Sequence, residues 1–229
     1  DAPDLEVLQA GLDVYDPQRA GGPAILNSIS DLRREGLALR GRKPCRVILL
    51  LTERRTEDGG TTCRNAEEEY QTARSLYEEA RSLGYSPDDI FFDPGIMPAG
   101  ADTEGRLQRT LRTLELIHSD PELGKCHASV GLSNFTVMLP RRRPDGRPIR
   151  SSLESAFLTL AMPLGLDTII GSQTIDSFLT LKSDLWLTSC ALYAAELVDQ
   201  FTADQVENHP LFQLLLETMH HLRPAGDNE

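Results

Sequence analysis

The sequence predicts an α/β fold in which helices cover a parallel sheet, and three observations carry that reading. Short apolar runs without polar alternation recur along the chain, Val47-Ile48-Leu49-Leu50-Leu51 among them, which is the pattern of strands buried on both faces. Each run is followed by a stretch with helical spacing of its apolar residues. Each run also ends in a polar residue or a turn. That favours a (β/α)8 barrel over a doubly wound sheet, because a barrel gathers every C-terminal strand end around one axis.

Taken in order, residues 4–12 place Leu5, Val7, Leu8 and Leu12 on one helix face, with Asp4 as N-cap. Ala24-Ile25-Leu26 is a strand ending in Asn27-Ser28, and Ser28 or Ser30 caps a helical stretch through Leu39. The strand at 47–51 precedes a long amphipathic helix over 65–83, which Gly84 stops. Ile90-Phe91-Phe92 runs into Asp93-Pro94-Gly95, and residues 103–118 form a helix with Leu107, Leu111, Leu114 and Ile117 on one face. A strand over 128–132 runs into Ser133-Asn134, and a helix spans 151–162. A strand over 167–170 ends at Gly171-Ser172, and a helix spans 185–201.

Five units do not close an eight-stranded barrel. The chain, which opens on Asp1 just before a helix, is therefore expected to hold strands 4 to 8 of an N-terminally incomplete barrel over residues 1–201. A C-terminal helix near 210–221 and a frayed tail fill 202–229. An open sheet, or a barrel completed by a partner such as a second copy of the chain, are the other readings.

The formal charge of -12 over 229 residues argues against nucleic-acid binding, since phosphate neutralisation needs a basic face. No apolar run is long enough to span a membrane and no signal peptide opens the sequence, so a cytoplasmic protein without membrane attachment is expected. The four cysteines, Cys45, Cys63, Cys126 and Cys190, are too far apart for a zinc or disulfide framework and read as buried, inert thiols. No metal site is expected. No glycine-rich phosphate motif follows any strand, and no Ser-His-Asp or Cys-His arrangement falls at the strand ends.

The strand ends do carry Asp93, Asn27 and Asn134. Asp-Pro-Gly is by itself a turn, and Asn is commonly a helix cap. At a barrel mouth, however, a carboxylate needs donors, and a planar heterocycle with adjacent N–H and NH2 groups supplies two. Two asparagines beside it suit recognition by neutral donor and acceptor pairs. Glu53 and Arg54 follow the second strand and read equally as functional or as members of ion pairs. The loop over 141–150 packs five arginines into an acidic chain, as a solvated loop or as a rim that holds an anionic ligand tail.

Three segments carry a family resemblance: Asp89-Ile90-Phe91-Phe92-Asp93-Pro94, Val130-Gly131-Leu132-Ser133-Asn134-Phe135, and Phe157-Leu158 through Gly165-Leu166-Asp167. In that order they resemble the pterin-binding barrel proteins, from Asp1 to about Ser172. The likeness is closest to the methyltetrahydrofolate:corrinoid methyltransferases and the folate domain of cobalamin-dependent methionine synthase. The resemblance implies that Asp1, the end of the family's third strand, joins Asn27 and Asp93 in hydrogen-bonding the pterin ring. It implies that Asn134 lies near N5, the nitrogen that carries the methyl group, as the catalytic residue. Methyltetrahydrofolate or tetrahydrofolate is then the substrate, and a corrinoid protein carrying cobalamin is the partner. Dihydropteroate synthase, the rival within the same fold, needs cations where this chain reads Gly131-Leu132-Ser133-Asn134 and Ile169-Ile170-Gly171-Ser172. A noncatalytic pterin-binding subunit is the third reading.

Overall fold

Five strands pair in parallel in the order in which they occur along the chain, so the sheet winds in one direction only. The computed structural model describes residues 2, 4–137, 139–140, 142–143 and 149–170. The chain divides into two units, and every element described here belongs to the one made of Asp1–Arg142 with Pro148–Ser172. Helix α1 (Leu5–Val14) starts at Asp4, whose side chain accepts the Glu6 N–H, and a single turn, α2 (Pro17–Ala20), leads into strand β1 (Ala24–Ser30). A 3-10 segment (Asp31–Gly41) connects β1 to β2 (Cys45–Leu50), and a hairpin of β3 (Glu53–Thr56) and β4 (Gly59–Thr62) follows. Then come α3 (Ala66–Ser82), β5 (Ile90–Asp93), α4 (Arg106–Ser119), β6 (His127–Val130), the short α5 (Leu132–Thr136), α6 (Arg150–Ala161) and β7 (Thr168–Ile169).

The parallel sheet runs β1-β2-β5-β6-β7, and the hairpin stands apart as a two-stranded antiparallel sheet. A strand order without reversal has no topological switch point, unlike a doubly wound sheet. Among the described residues it forms an arc with β1 and β7 at its edges, and no closed barrel is present.

One face of the arc is covered by helices. Leu26, Ile29, Val47, Leu49, Ile90 and Phe92 pack with Leu8 and Leu12 of α1 and Leu76 of α3 in one core. Ala128 and Val130 pack with Leu114 of α4, Phe135 of α5 and Phe157 of α6 in a second. Each such residue removed from water contributes about 1.5–3 kcal/mol. The register shifts between Asn27 and Ile29, a bulge that lets both Leu26 and Ile29 face the core although three positions separate them.

The opposite face carries Ile25, Asn27, Ile48, Leu50, Phe91, Asp93, His127 and Ser129. Its cover is incomplete, which corrects the expectation of strands buried on both sides: Ile25 is 48% exposed, and Asn27, Leu50, Asp93 and His127 are half-buried. The apolar runs mark a face designed to be enclosed, and the described strands close only part of a ring around it.

Three local departures have physical causes. The stretch after β1 is 3-10 rather than α-helical, broken at Arg33 by non-helical dihedrals, and Ser30 takes the N-cap position without a side-chain bond. The hairpin lacks the apolar alternation that marks a half-buried strand, because its second strand is wholly exposed. Asn134 falls within helix α5 rather than in a loop. The helices expected over 185–201 and 210–221 lie outside the described residues, as does most of the arginine-rich loop.

Candidate functional site

The C-terminal ends of β1, β2, β5 and β6 meet at one end of the arc. Lateral pairing sets Asn27 beside Ile48, Ile48 beside Phe91 and Phe91 beside His127, so these side chains form one row across the open face. The next row toward the strand ends pairs Ser30 with Leu50 and Leu50 with Asp93. Asp93 therefore lies on the same face as Asn27, one row nearer the mouth.

The Asp93 loop is held on several sides. Its Oδ1 accepts the Gly95 N–H at 2.8 Å, its carbonyl accepts the Leu51 N–H at 2.9 Å, and Thr110 of α4 donates to the Gly95 carbonyl at 2.9 Å. Gly95 has φ +70°, and a Cβ there would stand 2.5 Å from Thr52 Cγ2, so only glycine suits the position. The turn reading of Asp-Pro-Gly is thus realised: the carboxylate closes the turn with one oxygen. Burial pushes the Asp93 carboxyl up to about 6, against the opposing Gly95 N–H. A carboxylate whose ionised form is poorly solvated at the end of a strand gains strongly from any ligand that brings N–H donors.

Asn134 sits in the single turn after β6. Its N–H donates to the Gly131 carbonyl at 2.9 Å, and a Cβ on Gly131 would come within 2.9 Å of its Nδ2, so the amide folds back over the strand end. Its side chain is exposed to solvent. Asp1 lies outside the described residues, but the Ala2 N–H donates to the Asn27 carbonyl at 3.2 Å, which sets residue 2 against the free edge of β1. The structure thus brings Asn27 and Asp93 to one face, with Asn134 at the end of the neighbouring strand β6.

Behind Asp93 lies a polar network that the sequence reading overlooked. Glu69 of α3 is fully buried; its Oε2 accepts the Thr113 hydroxyl at 2.6 Å, and its Oε1 lies 3.0 Å from Arg109 Nε, outside hydrogen-bond geometry. Burial pushes the Glu69 carboxyl up to about 7, opposed by Thr113, Arg109 and Arg106, with Asp93 adding a small push upward. Arg109 also donates to the Cys63 carbonyl at 2.8 Å, joining α3, α4 and the segment after the hairpin. Glu69 recurs on the buried stripe Ala66, Glu69, Ala73, Leu76, Ala80, and that helical spacing is the signal that could have found it. Asp31, also buried, clamps the hairpin by accepting the Arg55 N–H at 2.5 Å while pairing with Arg34. Glu53 and Arg54 lie in β3, where Arg54 pairs with Glu68 at 3.0 Å, an ion pair at the start of α3.

The other titratable groups serve the scaffold. His127, at the opposite end of β6 from Asn134, bonds Asp167 at 2.7 Å, stacks on Phe91 and is shifted upward by that carboxylate. Cys45 and Cys63 are buried and Cys126 is half-buried, and burial raises all three thiols, Cys126 to about 12. No cluster of metal-ligating side chains occurs among the described residues, and none of their helices is long and apolar enough to cross a membrane.

Comparison with known families decides the larger part of the chain. The family of pterin binding enzymes matches residues 1–171. The chain belongs to the pterin-binding enzyme family. That agrees with a one-directional parallel sheet in a mixed α/β fold.

A second family, the C-terminal part of recombination protein O, matches residues 182–229. The DNA repair protein RecO of Dehalococcoides mccartyi is 46% identical over 72 residues, 31% of this chain and 28% of that protein. RecO of Bacillus pumilus is 40% identical over 63 residues, and RecO of Bacillus cytotoxicus 33% over 90. The chain spans between 25% and 36% of the length of these three relatives. Likeness to a DNA repair protein overturns the exclusion of nucleic acid drawn from net charge. A charge of -12 is a property of the whole chain and says nothing decisive about one segment of it.

Proposed function

We propose that residues 1–171 form strands 4 to 8 of a pterin-binding (β/α)8 barrel that binds methyltetrahydrofolate and moves its N5-methyl group to or from a corrinoid on a partner protein. The observation that carries the reading is the half-buried Asp93 carboxylate, shifted toward neutrality on the same open face as Asn27. In this reading Asp93 accepts hydrogen bonds from an N–H and the NH2 of the pterin, and those donors replace the solvation it has lost. Asn27 and Asp1 take further edges of the ring. Asn134 donates to N5: as the methyl group leaves a tertiary amine, electron density returns to that nitrogen, and a donor that strengthens its bond at that moment lowers the barrier. An amide does this without titrating. When bound to its partner, the corrinoid supplies the metal nucleophile, and this chain supplies position and orientation.

The test is single-turnover methyl transfer to a Co(I) corrinoid, followed by corrinoid absorbance. Asn134→Ala is expected to cut the transfer rate by roughly 10²- to 10³-fold while the folate Kd changes far less. Equal losses in rate and affinity would make Asn134 a binding residue only. Absence of transfer by the wild type would return the reading to the synthase or the noncatalytic subunit.

The match over 182–229 carries a second reading for that segment, participation in DNA repair. The segment holds Lys182 and Arg223 as its cationic side chains for contact with phosphate. Fluorescence anisotropy of a labelled oligonucleotide, with the whole chain and with one ending at residue 181, tests it. A Kd that weakens on truncation supports the reading, and equal Kd values oppose it.

A further inference from the structure

We infer that the cavity between the first turns of α3 and α4 binds an anionic chain, the γ-glutamyl carboxylates of the folate whose pterin ring lies against Asp93; the inference rests on the folate reading above. The cavity encloses about 380 Å³, and four arginines line it: Arg64, Arg106, Arg109 and Arg112. Glu67 and Glu104 are the only carboxylates on its wall.

Its position ties it to the pterin face. One turn of α4 presents Arg106 and Arg109 to the cavity and Thr110 to the Gly95 carbonyl, two residues beyond Asp93. Arg109 is the floor: its side chain is 14% exposed and is fixed by buried Glu69 and by the Cys63 carbonyl. Arg64 and Arg112, 79% and 52% exposed, form the rim.

Each of these guanidinium groups already faces a glutamate. Arg64 meets Glu68 at 2.9 Å, Arg106 meets Glu104 at 3.1 Å, Arg109 meets Glu69 at 3.0 Å, and Arg112 meets Glu115 at 2.7 Å. These pairs hold the arginines in place without exhausting them, because a guanidinium has five N–H donors in a planar fork and one carboxylate engages at most two. Burial raises the carboxyl of Glu69, the partner of the floor arginine, and so weakens that countercharge. A flexible chain of carboxylates gains from several partly engaged arginines at once, whereas a single anion gains from one or two. The arginine-rich loop over 141–150 was the expected holder of such a tail; the cavity gathers its own arginines from two helix ends.

The experiment is calorimetry with the whole chain, comparing 5-methyltetrahydrofolate carrying one glutamate with the form carrying three. The triglutamate is expected to bind roughly five- to tenfold tighter at low salt, from two rim contacts of surface strength. That advantage should disappear in R64Q/R112Q and at high salt, with the monoglutamate Kd weakened far less than the triglutamate Kd. Equal Kd values for the two forms, or an advantage that survives the double substitution, overturn the inference. Free tri-γ-glutamate and inorganic phosphate are titrated separately. Should neither folate bind, the pterin reading fails and the free triglutamate decides the cavity by itself: a heat lost in R64Q/R112Q supports it, and no heat overturns it. Phosphate binding more tightly than triglutamate, with the same sensitivity to substitution, would make the cavity a phosphate site and overturn the tail assignment.

Discussion

Replacing Asp93 with asparagine should make the unliganded protein more stable at neutral pH and a poorer binder of folate. The Asp93 carboxyl is raised from 3.8 to about 6, chiefly by burial. A shift of about two units corresponds to roughly 3 kcal/mol, and discounting for partial exposure leaves about 1.5–3 kcal/mol. Below pH 4 both the folded and the unfolded state keep the proton, and the group contributes no difference. As pH rises from 4 through 6 the unfolded chain ionises first, so the folded state loses stability, and the loss is complete above the folded pKa. Asparagine keeps an oxygen for the Gly95 N–H and does not titrate. Urea unfolding of the ligand-free wild type and D93N at pH 4, 5, 6 and 7 should show the stability difference moving by about 1.5–3 kcal/mol in favour of D93N. At pH 7 the same substitution should weaken methyltetrahydrofolate binding by about 2–5 kcal/mol, because one acceptor of a paired, charge-assisted contact is lost. A difference that does not move with pH would refute the desolvation argument. Unchanged folate affinity in folded D93N would remove Asp93 from the site.

Two further substitutions test the scaffold and the strand end. Asp120 is buried, and the Tyr70 hydroxyl, the Leu123 and Glu122 N–H groups and Arg74 overcome that burial and lower its carboxyl to about 2; Asp120→Asn should therefore cost about 2 kcal/mol at pH 7 in urea unfolding, a cost that shrinks as pH falls from 4 toward 2, where the wild-type carboxyl gains its proton. A penalty independent of pH would show that the carboxylate charge does not matter. Gly131→Ala would put a methyl within 2.9 Å of Asn134 Nδ2 at an ordinary negative φ; the amide should swing away, slowing methyl transfer while unfolding stability stays within about 0.5 kcal/mol, and an unchanged single-turnover rate would separate Asn134 from the chemistry.

What the sequence made legible follows from how each signal arises. The strand ending at Asp93 is readable because an apolar run stops at a carboxylate and a Pro-Gly turn, all local features. The raised pKa of that carboxylate is not, since it depends on the walls that α4 and the neighbouring strands build around it. Asn27 reads as the end of its strand, but β1 continues past it to Ser30, and the bulge that keeps both Leu26 and Ile29 in the core follows from packing. Helix α3 is legible to within a residue at each end, with Gly84 as stop, yet Glu69 reads as one charge among several because its partners Arg109 and Thr113 come from another helix. The hairpin carried a turn signal at Asp58-Gly59 but no apolar face, so only its tertiary clamp to Asp31 explains its order. Five-residue α5 is too short for any periodicity to mark it. The likeness over 182–229 escapes because the helix expected over 185–201 reads as the last of the barrel and 202–229 as a helix and tail, and an averaged charge stands in for the chemistry of the segment.

The central claim is that the open face of this sheet holds a reduced pterin. It is met most directly by titrating the whole chain with 5-methyltetrahydrofolate at pH 7 in a calorimeter, with a tail-less tetrahydropterin as competitor. The account predicts saturable binding of one folate per chain, displaced by the tail-less pterin and weakened in D93N. Failure of a folded wild-type chain to bind either compound, or folate binding that the tail-less pterin does not displace, would contradict it.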